Sequence, residues 1–321
     1  MIQTQIMLRS FLFIFICFSI AANAQKVQLK IKKDAAYFTE GKDSILSYQI
    51  AEKSLNGIAT RCHYIHPLFG LDGEILTEDF PADHLHHRGV FWAWHQVYVG
   101  DKRLGDSWEL KDFRWDIISV EELKGLGAAR GIKTEVFWKS NLWVDADGNE
   151  KRVVKEVSTI KVYPAEKTYR QIDISIALLA LVPNVQLGGS EDKKGYGGFS
   201  VRMRLPENIR FTGSTGSIQA KKTPVPSENW MDFSGALGKD GAEAGLSILC
   251  HPQNPKPSNQ WILRSKNSMQ NAVYPFPGAT AVPISQTQPT VLRYRLLVHD
   301  RKFKTKDLKT LFDSYSDTVK K

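Results

Sequence analysis

Apolar and polar residues alternate with a period of two along much of the chain. Val27-Gln-Leu-Lys-Ile31 and Ile172-Asp-Ile-Ser-Ile-Ala-Leu178 both alternate. In Phe199-Ser-Val-Arg-Met-Arg-Leu205 the residues Phe199, Val201, Met203 and Leu205 fall on one face, and Leu292, Tyr294, Leu296 and Val298 alternate with Arg293, Arg295 and His299. Successive side chains of a strand point to opposite faces, so each run predicts a strand with one buried face. Further strands are predicted over 44–50, 58–66, 89–99, 114–121, 130–138, 153–163, 209–212 and 244–250. Turn chemistry separates them at Asp72-Gly73, Asp147-Gly148, Gly188-Gly189 and Gly197-Gly198. Near the far end Leu308, Leu311, Phe312 and Tyr315 recur at helical spacing, which predicts one helix over 305–319 with Thr305 as its cap. More than a dozen strands cannot stay in one open sheet without curling or splitting. The expected fold is all-β: a large two-sheet antiparallel sandwich forming a single domain over 25–321, with one C-terminal helix.

Residues 1–24 read differently. Arg9 precedes the apolar run Phe11–Ile20, and Ala22-Asn-Ala24 places small residues where a signal peptidase reads. A cleaved signal peptide is therefore expected, with export to the periplasm or beyond. The run is short for a bilayer, and no later segment reaches ~18 consecutive apolar residues, so no membrane span is expected. Export permits a disulfide between Cys62 and Cys250; two separate buried thiols are the other reading. The formal charge of +9 is spread along the chain and sits on no nucleic-acid motif, so nucleic acid is not an expected partner. Dispersed basic residues leave room for an acidic polysaccharide or anionic sugar. Neither a Rossmann glycine pattern nor a Gly-x-Ser-x-Gly elbow is present, which excludes a nicotinamide enzyme and a serine hydrolase of that type.

Candidate chemistry concentrates in Asp79-Phe-Pro-Ala-Asp-His-Leu-His-His-Arg-Gly-Val-Phe-Trp-Ala-Trp94. Of the eight histidines in the chain, six (His63, His66, His84, His86, His87 and His95) fall between 63 and 95. If the segment were extended, His84, His86 and Arg88 would share one face, with Asp83 and His87 on the other. Three readings stand. In the first, a histidine near neutral pKa moves a proton while Asp83 or Asp79 orients it and Arg88 holds an oxyanion or carboxylate. In the second, His84 and His86, closed by His66, His95 or Asp83, hold a divalent metal. In the third, His and Asp cap the strand entrance and tie loops together. Trp92 and Trp94 share a strand face and Phe91 takes the other, while Trp108 lies in a polar stretch and is the better ligand candidate. In Lys194-Gly-Tyr-Gly-Gly198 the glycines allow close backbone approach to a ligand around Lys194 and Tyr196. Glu228, Trp230, Asp232 and His251 are weaker candidates, on loops that would roof a cleft.

The runs YIHPLFGLDGEILTEDFPADHLHHRGVFWAW and KGYGGFSVR resemble the exported bacterial proteins labelled as a methane oxygenase PmoA family (PmoA-like), a group without an assigned function. The resemblance covers most of the chain. It implies a carbohydrate context, because such proteins tend to occur in bacteria rich in polysaccharide-degrading systems. The expected sandwich is similar to the galactose-mutarotase-like super-sandwich, which implies sugar chemistry by fold analogy alone and carries over no catalytic residue. The leading expectation is an exported carbohydrate-active enzyme performing hydrolysis, elimination or epimerisation by acid–base chemistry. His84, His86 and His87 would transfer protons and Asp83 would orient one of them. Arg88, Lys194 and His66 would bind substrate oxygens, and Trp108 and Tyr196 would shape the pocket. This reading needs no cofactor. A non-catalytic glycan-binding protein, and a metal-dependent oxygenase or hydrolase using the His84–His87 cluster, are the alternatives.

Overall fold

The computed structural model describes residues 26–255 and 260–319; the leader expected over 1–24 lies outside the described residues. Two nine-stranded antiparallel sheets dominate. The first runs Val27–Ile31, Ala35–Glu40, Asp43–Gln49, Tyr64–Leu68, Val90–Trp94, Gly197–Val201, Gln270–Val273, Gln260–Ile262 and Val225–Pro226 in spatial order. The second runs Arg114–Glu122, Arg130–Val144, Glu150–Val162, Tyr169–Ala180, Thr290–His299, Glu243–Cys250, Trp230–Ala236, Arg210–Gly213 and Gly216–Ile218. A four-stranded sheet containing Gln96–Val99 and Lys102–Gly105, and a two-stranded ribbon, flank them.

Period two does here what pleating requires. Along Tyr169–Ala180 every second residue is buried, from Arg170 to Ala180. Its neighbour Glu150–Val162 pairs with it from Val154 opposite Ala180 to Val162 opposite Ile172. The inner faces of the two sheets meet in one continuous apolar core. Trp94 of the first sheet lies 5.5 Å from Trp138 of the second, and Phe199 stacks on Tyr294 at 4.3 Å between ring centroids. This is a β-sandwich, as its periodicity predicts.

The core also holds a carboxylate. The Glu156 carboxylate, fully buried, accepts from His63 Nε2 at 2.6 Å, Trp92 Nε1 at 2.7 Å, Trp138 Nε1 at 2.9 Å and Ser158. His63 and Trp92 belong to the first-sheet side, and Trp138 and Ser158 to the second. The hub therefore ties the two layers at a point where an unpaired carboxylate would be costly.

Several expectations change in detail. The strand expected over 89–99 breaks at His95, where the chain leaves the first sheet and enters the four-stranded one. Gly197-Gly198 opens a strand rather than making a turn, and that strand ends at Val201, with Met203 in an isolated bridge to Thr77. The helix spans Thr305–Ser316 and continues as a 3-10 turn over Asp317–Val319, but Lys304 is its cap and makes no side-chain capping bond. Packing secures it instead: Leu308 and Tyr315 bury against Trp230, Leu249, Leu297 and Phe303. Cys62 and Cys250 are free and buried, so the disulfide does not form. Cys62 Sγ points at the Trp115 carbonyl, while Cys250 pairs with Tyr294 in the second sheet. Burial raises both thiols, Cys62 to about 12, which leaves no thiolate for nucleophilic chemistry at neutral pH.

Candidate active site

All five residues of Val90–Trp94 are buried, because the strand has a covered layer on each face. Val90, Trp92 and Trp94 enter the sandwich core. Phe91 and Ala93 point the other way, into a small cluster with Tyr64, Trp108 and Met269, against which Tyr196 packs. The candidate site is built on this second face.

Its first wall is the histidine loop, which is not extended. His84 N–H donates to the Pro81 carbonyl at 3.1 Å and His87 N–H to the His84 carbonyl at 2.9 Å. These turns gather residues that an extended strand would have separated. The His84 and His87 rings stack at 4.6 Å, and His86 lies edge-on at 4.5 Å from His87 and 5.6 Å from His84. Gly89 closes the loop at φ +53, where a Cβ would overlap the Ile65 carbonyl oxygen, so only glycine lets the loop settle on the neighbouring strand. Arg202, 3% exposed, pins the wall: it donates to Asp83 at 2.7 and 2.9 Å and to Glu78 at 2.6 Å.

The second wall is the turn after Gly105. Asp106 Oδ1 accepts from the backbone N–H groups of Trp108 and Glu109 at 2.9 and 2.8 Å, and its Oδ2 lies 2.8 Å from His95 Nδ1. A carboxylate only accepts, so Nδ1 carries the proton and His95 Nε2 is left as an acceptor. Glu109 Oε2 lies 3.4 Å from His86 Nδ1, joining the two walls. Trp108 stacks on His95 at 5.3 Å and is only 2% exposed. It backs the pocket and offers no free ring face.

The glycine segment supplies the third wall. Ser190 and Asp192 hold the backbone of 194–196, and Arg264 donates to the Tyr196 hydroxyl at 2.7 and 3.1 Å. With its oxygen so occupied as an acceptor, that hydroxyl can turn its O–H toward a ligand. Together the walls enclose about 280 Å³, lined by His84, His86, His87 and His95 with Glu109, Asp192, Lys194 and Tyr196 among their neighbours.

Electrostatics separates the groups. Burial, with the neighbouring His84 and Arg61, pulls His86 down to about 4. Burial and the other two imidazoles take His87 down to about 2. Glu109 is raised by burial. Asp83 is held well below the ordinary carboxylate range by its bonds to Arg202. Arg61 sits 1% exposed between Phe91 and Trp115, donating to the His86 carbonyl at 3.3 Å. Burial lowers it to about 9, so it remains a cation beneath the cluster.

The two depressed histidines make folding stability depend on pH. Their folded values lie below the ordinary 6.5, so the unfolded chain binds protons that the folded chain refuses. Stability is full above about pH 6.5 and falls as pH drops, down to about 4 for His86 and about 2 for His87. At pH 5 each buried imidazole should cost on the order of 2 kcal/mol. Urea unfolding at pH 7 and pH 5 should show a smaller loss in His86→Asn/His87→Asn than in wild type, and equal losses would remove the explanation.

Not every expected residue reaches the pocket. Arg88 is fully buried and committed to Asp79, the Ala59 carbonyl at 2.8 Å and the Tyr64 hydroxyl at 2.6 Å. His66 lies against Thr77 at 3.0 Å, apart from His84 and His86. Trp230 and Asp232 belong to a strand of the second sheet, where Asp232 bonds His299 at 2.8 Å. His251 packs on Tyr315, and Glu228 is exposed. Among the described residues no group of three or more His, Cys, Asp or Glu is arranged to hold a metal ion. Asp106, Glu109, Arg61 and Arg202 are the functional candidates that the sequence reading missed.

Fold and site together define an all-β sandwich carrying a histidine-lined pocket on the face of one sheet opposite the core. The chain belongs to the family of unknown function DUF6807, whose model matches residues 36–313. No curated protein matches the sequence.

Proposed function

We propose that this pocket is the active site of an exported carbohydrate-active enzyme that performs acid–base chemistry on a sugar, by hydrolysis, elimination or epimerisation. One observation carries the reading: His86 and Glu109 face each other at 3.4 Å with proton affinities displaced in opposite directions, the imidazole down and the carboxyl up. Such displacement brings a weak base and a weak acid toward a common range, where a proton moves between them and a substrate at low cost. The neutral His86 serves as base, Glu109 exchanges its proton, and His95, aligned by Asp106, offers Nε2 as a second acceptor. Lys194 and Tyr196 at the rim supply donors for hydroxyl oxygens.

The PmoA-like resemblance belongs to the same proposal, because its carbohydrate context is what directs the pocket toward sugars. The signal-peptide pattern of residues 1–24 supports export to the periplasm. The test is incubation of the purified protein with a panel of neutral and acidic oligosaccharides, with products separated by chromatography and binding followed by tryptophan fluorescence. New reducing ends, unsaturated products or epimers support the enzyme. Saturable binding without product would replace it with a glycan-binding protein, and neither binding nor product would remove the carbohydrate reading.

A further inference from the structure

Beside the histidine pocket lies a second groove of about 410 Å³, lined by Lys194, Lys221, Lys222, Arg264 and Lys266 with no carboxylate among its lining residues. Lys194 and Tyr196 line both cavities, so the two adjoin. Arg264 organises the groove: it donates to the Lys221 carbonyl at 2.8 Å and the Lys222 carbonyl at 3.1 Å while holding the Tyr196 hydroxyl. Its own hydrogen-bonding capacity is thereby spent, but its charge remains. Among the described residues Lys194 is the one groove cation with an ion-pair partner, Asp192 at 3.5 Å. Lys221, Lys222 and Lys266 are exposed residues of the groove lining.

Like charges converging on a concave wall repel one another unless an anion joins them, and a groove with low-dielectric walls focuses that potential. We propose that the groove is the subsite for an anionic residue of the substrate, making the ligand a uronate-bearing oligosaccharide. This rests on the sugar reading of the histidine pocket. One ring lies against His86, Glu109 and Tyr196, and the next passes Tyr196 to place its carboxylate among the lysines. A neutral glycan finds no matching partner there. Sulfate esters share the charge, and the test separates them from carboxylates.

The experiment compares trigalacturonate, its methyl ester and a sulfated trisaccharide by isothermal titration. It uses the full protein, the surface variant Lys221→Ser/Lys222→Ser/Lys266→Ser, and His86→Asn. In wild type the acid should bind roughly tenfold or more tightly than the ester at low salt, with the advantage fading near 1 M salt, where the screening length falls to about 3 Å. The triple variant should lose that preference. Tighter binding of the sulfated sugar than of the acid keeps the anion subsite and makes sulfate its ligand. Equal binding of acid and ester, or none of either, overturns the inference. If the lysine variant abolishes acid binding while His86→Asn leaves the affinity and any turnover intact, the anion subsite stands and the histidine-pocket reading falls.

Discussion

Glu156→Ala should cost about 3–5 kcal/mol of folding stability, the range measured when one member of a buried charged network is removed. The carboxylate is the common acceptor for His63, Trp92, Trp138 and Ser158, and its loss leaves those donors facing one another in a dry interior. For a chain of this size the change corresponds to a fall in Tm on the order of 10 °C. Glu156→Gln keeps the volume but turns one acceptor into a donor, so it should be nearly as harmful. Burial alone would raise the Glu156 pKa, but the His63 partner and the surrounding donors outweigh it and hold the value below the ordinary range. The contribution is complete above the ordinary carboxylate range and is lost as pH falls through the lower folded value. Thermal melts at pH 7 and pH 4 test both parts. A Glu156→Ala protein within about 1 kcal/mol of wild type would mean that the two sheets do not depend on this hub.

The sandwich was legible wherever a strand has one dry and one wet face. Tyr169–Ala180 and Thr290–His299 show this, because selection on each face leaves a period of two in the sequence. It was less legible where both faces are covered. Val90–Trp94 reads as a featureless apolar run, and the break at His95 carries no glycine or proline to mark it. The histidine loop announced itself by composition, but its shape did not. Turn hydrogen bonds from His84 to Pro81 and from His87 to His84 decide which rings meet, and nothing in the residue types encodes them. Arg202 occupies a polar phase of an alternating run and so read as solvent-facing. It is instead buried as the anchor of Asp83 and Glu78. Asp106 and Glu109 reach the site only through tertiary folding of the turn after Gly105. Cys62 and Cys250, each followed by a histidine, show the converse: a shared sequence context says nothing of distance.

Glu109→Gln should lower turnover of the sugar substrate by about a hundred- to ten-thousand-fold, the usual worth of one positioned proton-transfer group. Folding should survive, because the Glu109 side chain is 49% exposed and glutamine keeps an acceptor oxygen for His86. His86→Asn should be of similar size. His84→Asn should change turnover by less than about tenfold, because the His84 side chain is 44% exposed and its Nδ1 is tied to the ionised Asp83 at 2.7 Å. The pH profile discriminates further. If His86 must be neutral to act as base, the acid limb of kcat/KM lies near the about 4 imposed by burial and Arg61, well below the ordinary histidine value of about 6.5. A limb well above about 4 would move the base away from His86, and the aligned His95–Asp106 pair is the alternative that geometry offers. His95→Asn would then carry the larger loss. Full turnover in both His86→Asn and His95→Asn would leave this pocket without a catalytic role.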